Sequence, residues 1–505
     1  MTLKRLFHIL LITLFATSAN AQNFEFNANC KMAYEAIIKL DFESGKKLIL
    51  HEKSVNPSNK YYIVLENYID FLSTIVGEEE QDFEAFKNKK KSRIKALKKA
   101  DENSPYYNYS LAHVYLQLAF ARFKFEEYLT AGFELRKAFH LLKRNQEKYP
   151  DFLPNKIDFG LMHALVGAIP NKFKWLVKLA AMRGSIKQGY DEIYDVLNKA
   201  KAKEEHAYLL NESIFFLSFI ELNLTSDHAN AKELLASIDA LPNDNQMLVF
   251  AKVSIMNKLG KTDEAIALLE DFQVPDSYFK LHYIEYLHGL SKLNRLDSTA
   301  RMHLQNYLNN FKGKTYKRSA MQKIAWYYLV NGNQEKYKEY IASVANVGSN
   351  QVDGDKQALT ESKSNRIPQI ELLKARLQFD GGYYKEALSV LENVSSQQLR
   401  DVIDSTEYIY RKARIFDALQ SDDEALKAYY SAYTIGKYLP DYFAGNSLLK
   451  MGVIYENRNE FYKAEDYYNR CIDLDFKVYK NSIEQKAKAG LDRIKTKRGT
   501  LSSSS

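Results

Sequence analysis

Gly452-Val-Ile-Tyr-Glu-Asn-Arg-Asn-Glu-Phe-Tyr-Lys-Ala-Glu-Asp-Tyr-Tyr-Asn-Arg-Cys471 shares one spacing with the earlier stretch Ala413-Arg-Ile-Phe-Asp-Ala-Leu-Gln-Ser-Asp-Asp-Glu-Ala-Leu-Lys-Ala-Tyr-Tyr-Ser-Ala432. Each opens on a small residue, with an aromatic three residues on (Phe416, Tyr455) and a second small residue twelve on (Ala425, Ala464). A tyrosine follows at sixteen (Tyr429, Tyr468) and a small residue again at nineteen (Ala432, Cys471). This is the arithmetic of a two-helix unit, in which small residues sit where the helices cross closely and large apolar ones surround the crossing. Two earlier segments carry parts of the pattern: Gly382, Ala387, Leu391 and Val394, and Gly260, Ala265, Leu269 and Phe272. In each, the glycine is expected to end the first helix and the alanine to admit the second. Steps of 38 and 39 residues from Ala387 to Ala425 to Ala464 slightly exceed the period of about 34 of the most compact two-helix repeats.

Helical periodicity runs through most of the rest. Ser110 to Phe120 and Phe133 to Leu142 place apolar residues at i, i+3, i+4 and i+7, and alternating strands with hairpin turns are missing. The predicted class is all-α: a tetratricopeptide-like helical-repeat solenoid with a less regular helical N-terminal half. The expected divisions are a signal peptide over 1–21, an irregular helical domain over 22–205 and degenerate repeats over 206–346. A linker or mobile loop over 347–366, repeats over 367–494 and a disordered tail over 495–505 complete the chain. Around Gly289 and Ala300 the repeat spacing slips by one residue.

Lys4 and Arg5 precede the apolar run Leu6 to Phe15, and Ala19-Asn20-Ala21 supplies a small-x-small cleavage site. The reading is an exported chain, periplasmic or envelope-associated and soluble once cleaved before Gln22. The run falls short of the roughly 20 apolar residues of a membrane span, and Cys30 lies too far downstream to take a lipid. Cys30 and Cys471 stand at opposite ends of a repeat array, so both are expected as unpaired structural thiols. The 71 basic residues are nearly balanced by 63 acidic ones, and no aromatics interleave the basic run Lys87 to Lys99, so nucleic acid is not an expected partner. That run reads first as a solvated helix face. The longest apolar stretch of the mature chain, Gly160 to Ile169, reads as a buried helix whose Gly160, Ala164 and Gly167 admit close neighbours, with His163 a satisfied core histidine.

Motifs that carry chemistry are missing. There is no Cys-x-x-Cys, no second histidine after His51-Glu52, no nucleophile elbow and no phosphate-binding or dinucleotide glycine pattern. His282, His288 and His303 stand at intervals of 6 and 15, which do not stack ligands on one helix face. The chain is therefore read as a non-enzyme, with no metal and no cofactor.

The order of features resembles the tetratricopeptide-repeat proteins of the 39 type and the fungal inclusion-body-clearance proteins, with bacterial envelope homologues. The resemblance is carried by Ala36 to Leu48, by Phe159-Gly-Leu-Met-His-Ala-Leu-Val-Gly-Ala-Ile-Pro170 with Gly184-Ser-Ile-Lys-Gln-Gly189, and by the closing repeat from Tyr442 to Ile494. It implies an all-α repeat protein without catalytic residues to carry over.

Function is then expected on the first-helix faces of the repeats, which line the concave side of such arrays. The candidate partner-binding residues are Gln369, Arg376, Glu407, Tyr410, Arg414, Asn446, Glu456 and Asn457. A groove of this composition suits a protein or peptide partner in the envelope, held by rigid aromatics and bidentate donors. The alternative is a membrane-surface or lipid-associated adaptor using residues 159–189 and the basic run 87–99. Its candidate membrane-contact residues are Lys172, Lys174, Trp175, Lys178 and Arg183, a basic-aromatic composition typical of interfacial helices.

Overall fold

The computed structural model describes residues 24–169, 182–225, 229–364 and 366–503. The expected signal peptide, and Lys172, Lys174, Trp175 and Lys178, lie outside these residues; Arg183 is described and exposed. Among the described residues there are only helices and turns, in agreement with the all-α, tetratricopeptide-like class. The chain forms two compact units, one of residues up to Ile255 with Phe272–Ile284 and Phe311–Gly313, the other of Met256–Asp271, Glu285–Asn310 and Lys314 onward. The boundaries expected at 205 and 346 do not coincide with this division.

The first unit holds α1 (Ala28–Ile38), α2 (Phe42–Val55), α3 (Tyr61–Gly77), α4 (Glu80–Leu97), α5 (Pro105–Lys124), α6 (Tyr128–Lys148), α7 (Leu153–Ala168), α8 (Ile186–Ala202), α9 (Leu210–Asn223) and α10 (Ala231–Asp239). Next come α11 (Gln246–Lys258), α12 (Thr262–Asp271), α13 (Tyr283–Asn294), α14 (Ala300–Asn310), α15 (Lys317–Val330) and α16 (Gln334–Ser343). The chain closes with α17 (Asp353–Ser362), α18 (Ile370–Asp380), α19 (Tyr384–Glu392), α20 (Val402–Ala418), α21 (Asp422–Gly436), α22 (Phe443–Asn457), α23 (Phe461–Asp473) and α24 (Lys480–Ser503).

One device makes the helix pairs. At residues 40, 126, 260, 296, 332, 382, 420 and 459 the backbone turns into the left-handed region, with φ between 60° and 85°. In each case the next residue's N–H reaches back five residues, as Asp41 to Ala36, Glu127 to Arg122, Tyr383 to Gln378 and Glu460 to Tyr455 do. This bond satisfies a carbonyl orphaned at the helix end and reverses the chain, so the second helix starts antiparallel to the first. Glycine fills the left-handed position only at 260, 332 and 382. The N-terminal half is thus less irregular than its sequence suggests, since Leu40 and Glu126 form the same stop without the residue that would announce it. From residue 260 onward the left-handed positions step by 36, 36, 50, 38 and 39. The long step contains α17, so half of the expected loop over 347–366 is an inserted helix. Asp355 anchors it, buried and accepting 2.8 Å bonds from the backbone N–H groups of Tyr316 and Ser319.

The small residues sit at the crossings. Ala413, Ala425, Ala432, Ala464 and Cys471 are fully buried, and the Tyr468 ring lies flat enough on Gly452 and Gly490 that a Cβ on either would stand 2.5 Å from it. Tyr468 donates to Glu456 at 2.8 Å and, one repeat earlier, Tyr429 donates to Asp417 at 3.1 Å. The expected disordered tail is instead helical to Ser503, because Ile494 is buried and Arg493 bonds Glu456 while Arg498 bonds Glu465. In the first unit α7 and α8 cross at glycines: a Cβ on Gly189 would meet the Gly160 carbonyl oxygen at 2.2 Å. His163 is buried, its Nδ1 held by Glu192 at 2.6 Å with the Gln188 amide beside the same nitrogen. Both cysteines are buried free thiols.

Gln420→Gly is expected to raise unfolding stability by about 1 kcal/mol, since a left-handed Gln carries a steric cost that glycine does not. Gly382→Ala should lower it by roughly 3 kcal/mol or more, because its Cβ would land 2.2 Å from the Gly260 oxygen. Gly332→Ala, with open space around it, should cost only about 1 kcal/mol. Denaturant unfolding of the three variants checks the order.

Candidate functional site

The first helices of successive pairs in the second unit, α15, α18, α20 and α22, pack side by side, and α24 follows α22. Along this row cations and aromatic faces alternate. Lys323 on α15 places its Nζ 3.6 Å from the Trp326 ring centre, and the Arg376 guanidinium on α18 lies 4.7 Å from the same ring. Arg414 on α20 then stacks 4.1 Å above Phe379. Each contact is a cation–π interaction that holds a long side chain in one rotamer. Trp326 is fixed in turn by donating its Nε1–H to Glu361 at 2.8 Å, an acid that also accepts from Gln322 at 2.6 Å and from Tyr337 at 3.1 Å.

Further cations join this wall. The Lys258 ammonium is pulled below its ordinary value by burial, with repulsion from Lys486, Arg414 and Lys450 added and Asp380 opposing. Lys486 is lowered by burial and by Lys450. Both lysines are open to solvent yet lose hydration, the behaviour of charges on an inward-facing wall that water reaches from one side. Lys323, itself buried, is pushed down to about 7 by burial and then by Arg376, against the pull of Glu361 and Asp380. Five cations and the buried Lys323 amine therefore converge where local acids are already engaged: Lys450 reaches Asp417 at 3.5 Å and Arg376 reaches Asp380 at 3.9 Å.

Of the residues expected to face a partner, the structure brings Arg376 and Arg414 together, with Glu407 in electrostatic reach of Arg376 and paired to Arg411. Tyr410 does not face a partner. It is 1% exposed, packed on Tyr442 and Phe443 at 5.7 and 5.2 Å, because it stands three residues before Ala413 on the crossing stripe. Asn446 is turned onto it, donating to its hydroxyl at 2.5 Å. Glu456 is buried beneath Tyr468, Arg493 and Lys497, and Gln369 caps α18 by accepting from the Leu372 N–H at 2.7 Å. Asn457 is exposed at the end of α22. Lys258, Lys323, Trp326, Lys450 and Lys486 were not legible as site residues. A signal did exist for two of them, since Lys323-x-x-Trp326 repeats as Arg376-x-x-Phe379, the i, i+3 spacing that puts both on one face.

The first unit contains a cavity of about 140 Å³ between apolar side chains such as Phe71, Leu116 and Phe215, with Tyr68, His113, Asp158 and Glu212 at its polar edge. Burial, then the neighbouring Asp158, raises the Glu212 carboxyl above the usual range, and Tyr34 donates to it at 2.8 Å. Catalysis by His113 is not supported by this geometry. Its Nδ1 is held by Asp158 at 2.8 Å and its Nε2 by Gln117 at 2.7 Å, while Gln117 accepts from Asn67, which accepts from Arg93. A histidine with both nitrogens engaged in a buried chain has none left for a substrate proton. The basic run 87–99 is likewise committed in part. Lys87 pairs with Glu127, Lys89 with Asp70, Lys90 with Glu134 and Arg93 with Asp70.

No family model matches the chain, and no curated protein matches it. It is similar to solved structures of helical-repeat proteins. One is a monomeric IFIT1 mutant with Gppp-AAAA, at 14% identity and TM-score 0.33, covering 86% of this chain and 94% of that one. The human IFIT1 dimer with PPP-AAAA matches at 13% identity and TM-score 0.30, covering 89% and 95%. The APC/C hetero-tetramer Cut9-Hcn1 matches at 12% identity and TM-score 0.22, covering 92% and 95%. Likeness at this level carries no conclusion about ligand or activity. No helix among the described residues is long and apolar enough to cross a membrane.

With Lys323 at about 7 in the folded chain and 10.5 as its ordinary value, the unfolded chain holds the extra proton between those pH values. The parent therefore gains stability with rising pH across that window, relative to Lys323→Met, which lacks the group. Unfolding measured from pH 7 upward should show the stability of variant minus parent falling steadily. A difference that stays constant would show that Lys323 carries no such burial cost.

Proposed function

We propose that this chain is a non-catalytic binding scaffold of the cell envelope that holds an acidic, extended segment of a protein partner along the first-helix wall of its second unit. The observation that carries the reading is the alternation of Lys323, Trp326, Arg376, Phe379 and Arg414 across three neighbouring helices, extended by Lys258, Lys450 and Lys486. Positive charge accessible on an inward wall favours a carboxylate-rich ligand, and guanidiniums already stacked on aromatic faces lose little freedom when they engage it. The seat in the envelope rests on the export signal read in residues 1–21, and membership of the 39-type repeat family belongs to the same proposal. Membrane contact is the weaker reading, since much of the basic run 87–99 is spent in ion pairs.

Fluorescence anisotropy with a labelled Glu/Tyr-rich peptide tests the wall directly. Binding should weaken with salt, and Arg376→Ala with Arg414→Ala should reduce affinity by about tenfold or more. Lys336→Ala with Lys338→Ala, an equal change of charge on an exposed helix face, should leave it within about twofold. Tighter binding of a single-stranded RNA oligonucleotide through the same arginines, or of anionic phospholipid vesicles, would overturn the peptide assignment. N-terminal sequencing of the secreted chain checks the location: a mature end at Gln22 is expected.

A further inference from the structure

We infer that Glu285, His288 and His303 form a binding site for a divalent transition ion of the zinc class, spanning α13 and α14. Glu285 and His288 are three residues apart on α13 and share a face, while His303 approaches from α14. The ligand atoms of the three side chains all lie within 4.8 Å of one another. His303 Nδ1 stands 2.9 Å from Glu285 Oε1, and the two imidazole rings stack with centres 3.8 Å apart. A spacing rule within one helix did not foresee this, because the two histidines meet across a helix pair. His282 takes no part and packs instead beside Phe311.

A second observation points to a ligand. His288 is 6% exposed, and its Nε2 is buried without a hydrogen-bond partner. A buried imidazole nitrogen left unsatisfied costs free energy that a coordinated cation would recover. The helices are also pinned at this point: a Cβ on Gly289 would meet Leu304 Cγ at 2.6 Å, so the residues following His288 and His303 lie in direct contact. Two nitrogen donors and one carboxylate suit zinc or its near neighbours rather than calcium or magnesium, which favour all-oxygen shells. Tetrahedral zinc holds its nitrogen ligands at about 2.0 Å, which sets donor atoms about 3.4 Å apart. Closing the present set to that separation requires side-chain rotation that tilts the stacked rings, and three protein ligands leave a fourth position for water. Asn306 donates to Glu285 at 3.2 Å and holds the carboxylate from outside, as supporting groups of metal ligands do. The neighbouring cation Lys292 is occupied by Glu270 at 2.6 Å. Such an ion would lock α13 to α14, the pair in which the repeat spacing slips.

The test uses the full mature chain, treated with chelator and then titrated with zinc sulfate by calorimetry and with cobalt chloride by absorption spectroscopy. One equivalent should bind, and cobalt should give the intense visible bands of a tetrahedral site without a thiolate charge-transfer band. His288→Ala and His303→Ala should each weaken zinc by about 100-fold or more, and Glu285→Gln by about tenfold. Zinc should also protect His288 and His303 of the unmutated chain from diethyl pyrocarbonate, read by mass spectrometry, which keeps the inference testable if a variant fails to fold. No binding at one equivalent, binding retained in the doubly substituted chain, or unchanged modification of both histidines would each overturn it.

Discussion

The helix stop that recurs at residues 40, 126, 260, 296, 332, 382, 420 and 459 is the constraint on which the rest depends. A left-handed residue followed by a bond reaching back five residues satisfies the last carbonyls of one helix and launches the next antiparallel to it. Without that reversal each amphipathic helix would lack the partner that buries its apolar face, and isolated helices of this length are marginal in water. The small residues come second: they set how closely the paired helices approach once the turn has aligned them.

The tyrosine bonds show how the turn and the crossing are joined to the face that can bind. Tyr429 to Asp417 and Tyr468 to Glu456 both link residues twelve apart. Each hydroxyl comes from the second helix and each acid from the last turn of the first, so the buried ring is satisfied by an acid that is buried at Glu456 and half-buried at Asp417. With that side of the first helix spent on its partner, Arg376 and Arg414 stand among the positions that stay accessible. Lys323, Trp326 and Phe379 complete the row because α15, α18 and α20 are neighbours in it.

Legibility followed how local the physics is. Repeat spacing, helical period and the small-residue crossings were all readable, because they depend on residues within about forty positions of one another, as Ala425 and Ala464 are. Tyr410 was misplaced because its exposure depends on the adjacent α22, whose Tyr442 and Phe443 cover it. Glu456 and Gln369 have the composition of binding residues but serve a buried cluster and a helix cap. The glycine and serine content around α17 masks a short helix held by one buried carboxylate, Asp355.

The sequence by itself determined that the chain is helical, that its C-terminal helices come in pairs, and that its two cysteines are structural, since periodicity and small-residue spacing act through backbone geometry and close packing. Only the tertiary structure decided which charged side chains meet. The convergence of Lys258, Lys323, Arg376, Arg414, Lys450 and Lys486, and of Glu285, His288 and His303, joins residues from separate helices. Their encounter is set by how successive pairs stack, a relation that no single stretch of chain encodes.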